Sequence, residues 1–196
     1  MKKLLVPIAV VGLFMLGLSG CGLSPQQLYP EPRIAGQLER VANGQTVSVA
    51  VDDQRTTSVI GHRGGLYAES NTLTVEGRTT FPRLQAEAEA ALRMRGFIPV
   101  PQGQAGSQLR LSIADLKYSV VEDRTVASKV QLTAVFAVEV HKEGQVYRGR
   151  YTANLDKGFV KPPTDSANNR LISWVMSDAL ERVFKDKGLL QFMANQ

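Results

Sequence analysis

The sequence is poor in the residues that most catalytic and metal chemistry needs. Its 196 residues include one cysteine, two histidines and one tryptophan, and aromatics make up only 7%. One Cys excludes an internal disulfide and any Cys-rich zinc site, and two His leave little for a metal cluster. There is no run of Lys or Arg to track a phosphate backbone, and no G-x-S-x-G, GxxxxGK[ST] or GxGxxG motif. What remains is ordinary globular composition, 43% hydrophobic and 21% charged, with enough chain for one domain and a real core.

The only cysteine sits in an informative place. Met1-Lys2-Lys3 is a short positive segment, followed by a largely apolar run from Leu4 to Leu18 and then Ser19, Gly20 and Cys21. This is the layout of a secretory signal peptide, too short and too interrupted by Pro7 and glycines for a good spanning helix of ~20 residues. Leu18-Ser19-Gly20-Cys21 looks like the bacterial lipobox. Small side chains give a peptidase access to the bond before Cys21, and the thiol is the nucleophile that accepts a diacylglyceryl group. The amino group freed by cleavage accepts an N-acyl chain such as palmitate. Each buried CH₂ contributes ~0.8 kcal/mol, so two or three chains on one residue anchor a protein durably. No cofactor is expected beyond this covalent diacylglycerol and N-acyl chain. Gly22 follows the cysteine where many inner-membrane-retained lipoproteins have Asp, and this favours the outer membrane, facing the periplasm. Cleavage would remove Lys2 and Lys3 and lower the net charge from +5 to +3. The remaining mild basicity reads as a solvated surface, and no nucleic-acid partner is expected.

The expected organisation is a signal peptide over 1–20, a lipidated N-terminus and flexible tether over 21–45, and one globular domain over 46–196. Pro25, Pro30 and Pro32 break any period in the tether, which would reach ~80 Å if fully extended. Val47–Val51, Ser58–Gly61 and Thr72–Val75 read as short strands, with a polar, Gly-rich loop between the last two. A helix is predicted over Phe81–Arg95, with Thr80 as N-cap, Pro82 in the first turn, Gly96 after its end, and Arg93 and Arg95 against its own dipole. Gly96–Val100 returns as a short strand.

The strongest β signal follows. Leu109, Leu111 and Ile113 alternate, and the parity then shifts to Leu116 and Tyr118, which predicts a bulge near Ala114-Asp115. Val126–Val140 places Val126, Val130, Leu132, Ala134, Phe136, Val138 and Val140 on one face, a row that only Ser128 breaks, and Gln145–Leu155 forms the next strand. Short turns between them predict a three-strand antiparallel meander. A last helix, capped by Asp165 or Ser166, is predicted to run to Lys187 and stop at Gly188, with Leu171, Ile172, Val175, Ala179, Leu180, Val183 and Phe184 as its buried stripe. The fold class is therefore α+β: a two-layer domain with a mixed, mainly antiparallel sheet and two amphipathic helices on one face.

Candidate sites are few. His62-Arg63-Gly64-Gly65 reads as a loop rather than a phosphate cradle. Asp52 and Asp53, as strand neighbours, point to opposite faces; a strand-end turn with Arg55 as ion partner explains them better than an acid–base pair. His141 beside a turn reads as solvated, and Trp174, one turn past Leu171, as core. Tyr147 and Tyr151 share a strand face across Gly149. They form the one possible binding surface, with cross-strand packing as the plainer explanation.

The lipobox Leu18–Cys21, the strand ending in Asp53-Gln54-Arg55, Ile60-Gly61, the helix closing at Arg95-Gly96-Phe97, and Asn168-Asn169 opening the last helix together resemble the YajG-like family of bacterial lipoproteins. The resemblance spans nearly the whole chain, through order and spacing rather than any one motif. It implies an outer-membrane lipoprotein without enzymatic activity or cofactor, and it transfers no catalytic residue. The expected function is a lipid-anchored, non-enzymatic binding or adaptor domain, held at the membrane by its anchor, with an envelope protein as partner. The alternative is a periplasmic module for a small molecule, glycan or lipid; a hydrolase would need convergent Ser, His and carboxylate groups.

Overall fold

Alternation in the centre of the chain produces the longest elements. The computed structural model describes residues 24–64, 68–122 and 128–195. Its meander consists of β6 (Ser107–Glu122), β7 (Ser128–Lys142) and β8 (Gln145–Phe159), paired antiparallel along their lengths. The register shift falls between Ile113 and Asp115, where the parity change predicts it. Of the expected row, Val130 to Val140 is buried throughout, and Val126 lies outside the described residues.

The other edge of β6 is shared. Its first half pairs in parallel with β2 (Thr46–Asp53), and β2 pairs with β5 (Ile98–Pro99). Its second half meets β3 (Val59–His62) at Gly61–Tyr118, and the sheet continues through β4 (Thr72–Val75) to β1 (Gln26–Leu28). Among the described residues the result is an eight-stranded mixed sheet in which β8 is an edge strand. Helices α1 (Gly77–Met94) and α2 (Asp165–Lys185) complete one core with it, as the α+β reading expects. The predicted stripe of α2 is entirely buried.

Several boundaries differ from expectation, each for a local reason. Helix α1 starts at Gly77, so Thr80 lies inside it, with its hydroxyl donating to the Glu76 carbonyl at 3.2 Å, and Pro82 is internal. Thr164, not Asp165 or Ser166, caps α2 by accepting from the Ala167 N–H at 3.3 Å. Asp186 stops α2 early and caps a further helix, α3 (Lys187–Ala194), in whose first turn Gly188 lies. Arg95 caps its own helix through its backbone N–H to the Ala91 carbonyl, but its side chain turns away. Its buried guanidinium donates to the Phe184 carbonyl at the end of α2 (2.8 and 2.6 Å) and to the Glu39 carbonyl (2.7 Å). Burial lowers its pKa, and Glu39 opposes that shift.

The largest difference is at the N-terminal end, where the expected tether is a packed strap from Gln26 onward. Leu28 and Ala42 are buried, and the Val41 and Ala42 amides both donate to the Arg95 carbonyl at 2.9 Å. Between them, alternate backbone amides bond to one stripe of α2. Tyr29 N–H donates to Asn169 Oδ1 (2.6 Å), Glu31 to Ser173 Oγ (2.8 Å) and Arg33 to Ser177 Oγ (2.8 Å). Two residues of extended or polyproline chain advance about 6.2–6.8 Å and four helical residues about 6.0 Å, so the two repeats stay in step. Pro30 and Pro32, which lack an N–H, occupy the positions between the donors. The residues without helical or strand period are ordered by side chains 140 to 144 positions away.

Candidate functional site

Tyr147 and Tyr151 are brought together as expected, on the side of β8 that faces the helices. Their hydroxyls both donate to Asp186 Oδ2, at 2.8 and 2.6 Å. The other carboxylate oxygen, Oδ1, accepts from the Gly188 and Leu189 amides at 2.8 and 3.3 Å. Asp186 thus caps α3 and ties the α2–α3 junction to the sheet. Gly149 makes room for this: a Cβ there would lie 2.5 Å from the Tyr151 hydroxyl oxygen, so the ring folds over its own strand. The Tyr147 ring packs against Phe192 of α3, centroids 5.8 Å apart.

Electrostatics follow from this geometry. Burial pushes the Asp186 carboxyl up, but the Tyr151 and Tyr147 hydroxyls and the Leu189 and Gly188 amides outweigh it, leaving the group below its usual range. Burial and the neighbouring carboxylate raise both tyrosines. The cluster holds an ionised acceptor between neutral phenols, an arrangement suited to fixing α3 on β8. Tyr118 is analogous on the opposite half of the sheet. Its buried hydroxyl donates to Asn168 Oδ1 at 3.1 Å, and burial raises it to about 12.

The remaining candidates are placed plainly. Leu18, Ser19, Gly20 and Cys21 lie outside the described residues. Arg55 pairs with Asp53 through two bonds of 2.9 and 2.7 Å and donates to the Val75 carbonyl, as the strand-end reading expects. His141 is exposed against Glu139. Trp174, expected in the core, is 53% exposed. It lines a groove of about 380 Å³ between β8 and α2, with Leu155, Phe159, Leu171, Lys157 and Arg170. Sequence reasoning missed this groove. The signal was Trp174 lying about 100° round the helix from Val175, at the margin of the apolar stripe. Among the described residues no group of three His, Cys, Asp or Glu could hold a metal ion.

Strap, mixed sheet and helical layer define the class: an α+β domain whose N-terminal segment is part of its own fold. The chain belongs to a family of uncharacterised lipoproteins, whose sequence model matches residues 32–194. No curated protein matches it. Similar solved structures include a Xanthomonas campestris protein at 8% identity, covering 82% of this chain and 92% of that one with a TM-score of 0.49. A minor lipoprotein from Acinetobacter baumannii is 11% identical, covering 79% and 95% with a TM-score of 0.42. Rare lipoprotein B from Shewanella oneidensis is 15% identical, covering 75% and 93% with a TM-score of 0.44. Membership in a bacterial lipoprotein family implies association with the cell envelope. No helix among the described residues is long and apolar enough to cross a membrane.

Proposed function

We propose that the protein is anchored through lipid on Cys21 and acts as a non-enzymatic binding domain for another envelope protein, as a YajG-like lipoprotein of the outer membrane facing the periplasm. The lipobox-like Leu18–Cys21 and the family support the anchor. The observation that carries the binding role is the edge of β8. Over fifteen residues it pairs, among the described residues, only with β7. An unpaired strand edge offers a row of N–H and C=O groups to an added strand. Arg148, Arg150 and Lys157 along it discourage indiscriminate pairing.

In-cell crosslinking and pull-down of the lipidated protein beside Cys21→Ala tests this. One protein recovered in defined ratio, and lost without the anchor, is the expected result; no partner in either sample would overturn the adaptor role. A second reading, a glycan module, draws on a cleft of about 460 Å³ lined by Gln85, Glu89, Gln102, Gln108 and Arg110, side chains that hydrogen-bond hydroxyls well. Chemical-shift changes at these residues on adding envelope glycan fragments would support it, and none would exclude it.

A further inference from the structure

The packed strap changes where the domain sits relative to its anchor. A tether over 21–45 would hold the domain far from the bilayer, but only three peptide units separate Cys21 from Ser24. They span at most about 11 Å. Ser24 is fixed on the molecule: Arg63 donates through Nη1 to the Ser24 carbonyl (2.9 Å) and through Nη2 to the Pro163 carbonyl (3.1 Å). Two residues on, the Gln26 side chain meets the buried Asn168 at 2.7 Å. The chain therefore joins the domain beside the turn that links β8 to α2, and lipid on Cys21 would bring that end of the molecule to the membrane.

The surface at this end has the chemistry of a lipid contact. Val160 is 86% exposed in the turn, and the exposed Trp174 stands in the groove between β8 and α2, about 13 Å along the helix from Asp165. Phe159 and Leu155 line the same groove, with the Lys157 ammonium 5.9 Å from the Phe159 ring centre. Lys157, Lys161 and Arg170 are exposed and form no ion pair among the described residues. Acids on the same two elements include Asp156, paired with Lys129 at 2.6 Å, Asp165, and Asp178, one turn past Trp174 and paired with Arg182 at 2.9 Å. An indole flanked by long cationic side chains is the composition that settles at headgroup depth.

We propose that the β8–α2 groove and the Val160–Pro162 turn form the face on which the protein rests on an anionic phospholipid surface. This rests on lipid attachment at Cys21. A short covalent link gives the face a high effective concentration at the membrane, so a contact too weak to recruit the domain alone is populated once it is anchored.

Trp174 is the sole tryptophan and reports directly on this face. The full lipidated protein would be placed in phosphatidylethanolamine–phosphatidylglycerol vesicles carrying brominated acyl chains, with flotation checked on the same sample. The expected result is a blue shift and a loss of Trp174 emission, with protection from aqueous iodide. Lys157→Gln with Lys161→Gln should weaken the contact about fivefold per lysine neutralised, since each cation contributes about that factor near an anionic surface. Protein that floats while Trp174 stays open to iodide and untouched by brominated lipid would overturn the proposed face. Equal quenching in phosphatidylcholine vesicles would overturn the anionic recognition. Protein that does not float would instead refute the anchor at Cys21.

Discussion

Removing the Asp186 carboxylate should cost more than any ordinary surface substitution, and the size of the loss follows from its four hydrogen bonds. In Asp186→Ala the α3 cap disappears, which costs about 1 kcal/mol. The Tyr147 and Tyr151 hydroxyls each lose a charged acceptor. Such bonds contribute about 1.5–3 kcal/mol, discounted here to about 1 each because water reaches this half-buried site. The sum is about 3 kcal/mol. With a urea m-value of about 2 kcal/mol/M, the midpoint of the 24–196 chain should fall by about 1.5 M. Asp186→Asn keeps an oxygen for the cap and should lose about 1 kcal/mol. The sign of the pH dependence is fixed by the lowered pKa. A carboxyl held below its ordinary value of 3.8 contributes its full stabilisation above that value and loses it as pH falls through the lower folded value. The deficit of Asp186→Asn should therefore be present at neutral pH and shrink on acidification below about pH 4. A loss under about 0.5 kcal/mol for Asp186→Ala, within the range of neutral surface changes, would refute the reasoning. So would an Asp186→Asn deficit that stays constant with pH.

Three further outcomes follow from close contacts elsewhere. Gly61→Ala should destabilise by about 3 kcal/mol, because a Cβ there would lie 1.8 Å from the Tyr118 carbonyl oxygen, where β3 joins β6; chemical denaturation measures it. Arg95→Ala leaves the buried Phe184 carbonyl and the Glu39 carbonyl without their donor. It should cost about 2–4 kcal/mol and lower the melting temperature by about 10 °C, with Arg95→Lys restoring only part because an ammonium lacks the planar fork. Ser173→Ala with Ser177→Ala should speed hydrogen exchange at the Glu31 and Arg33 amides while leaving β6–β8 protected, whereas Pro30→Ala and Pro32→Ala should leave those amides unchanged.

The sheet and main helix were legible because their physics is local. The alternation on β6 and β7, the shift of parity at Ala114-Asp115 and the stripe from Leu171 to Phe184 each report one buried face directly. The strap was not. Its Pro30 and Pro32 look like a solvated linker because its amides bond to side chains on α2, and only the i, i+4, i+8 polar stripe Asn169, Ser173, Ser177 hints at a receiving surface. Helix α3 was hidden by Gly188, read as a stop although Asp186 caps both sides of the junction. The Tyr147–Tyr151 pair was legible as a shared strand face, but not its acceptor, which lies 35 residues beyond Tyr151. Trp174 misled because its position one turn from Leu171 suggests the core, whereas the helix turns it toward the groove.

The mass of the mature N-terminal peptide, taken from protein extracted out of membranes, tests the anchored state most directly. The account predicts a chain beginning at Cys21, carrying a diacylglyceryl group on the thiol and an acyl group on the amine. An unmodified Cys21 thiol with Leu18-Ser19-Gly20 still attached would contradict it and would detach the proposed membrane face from its premise.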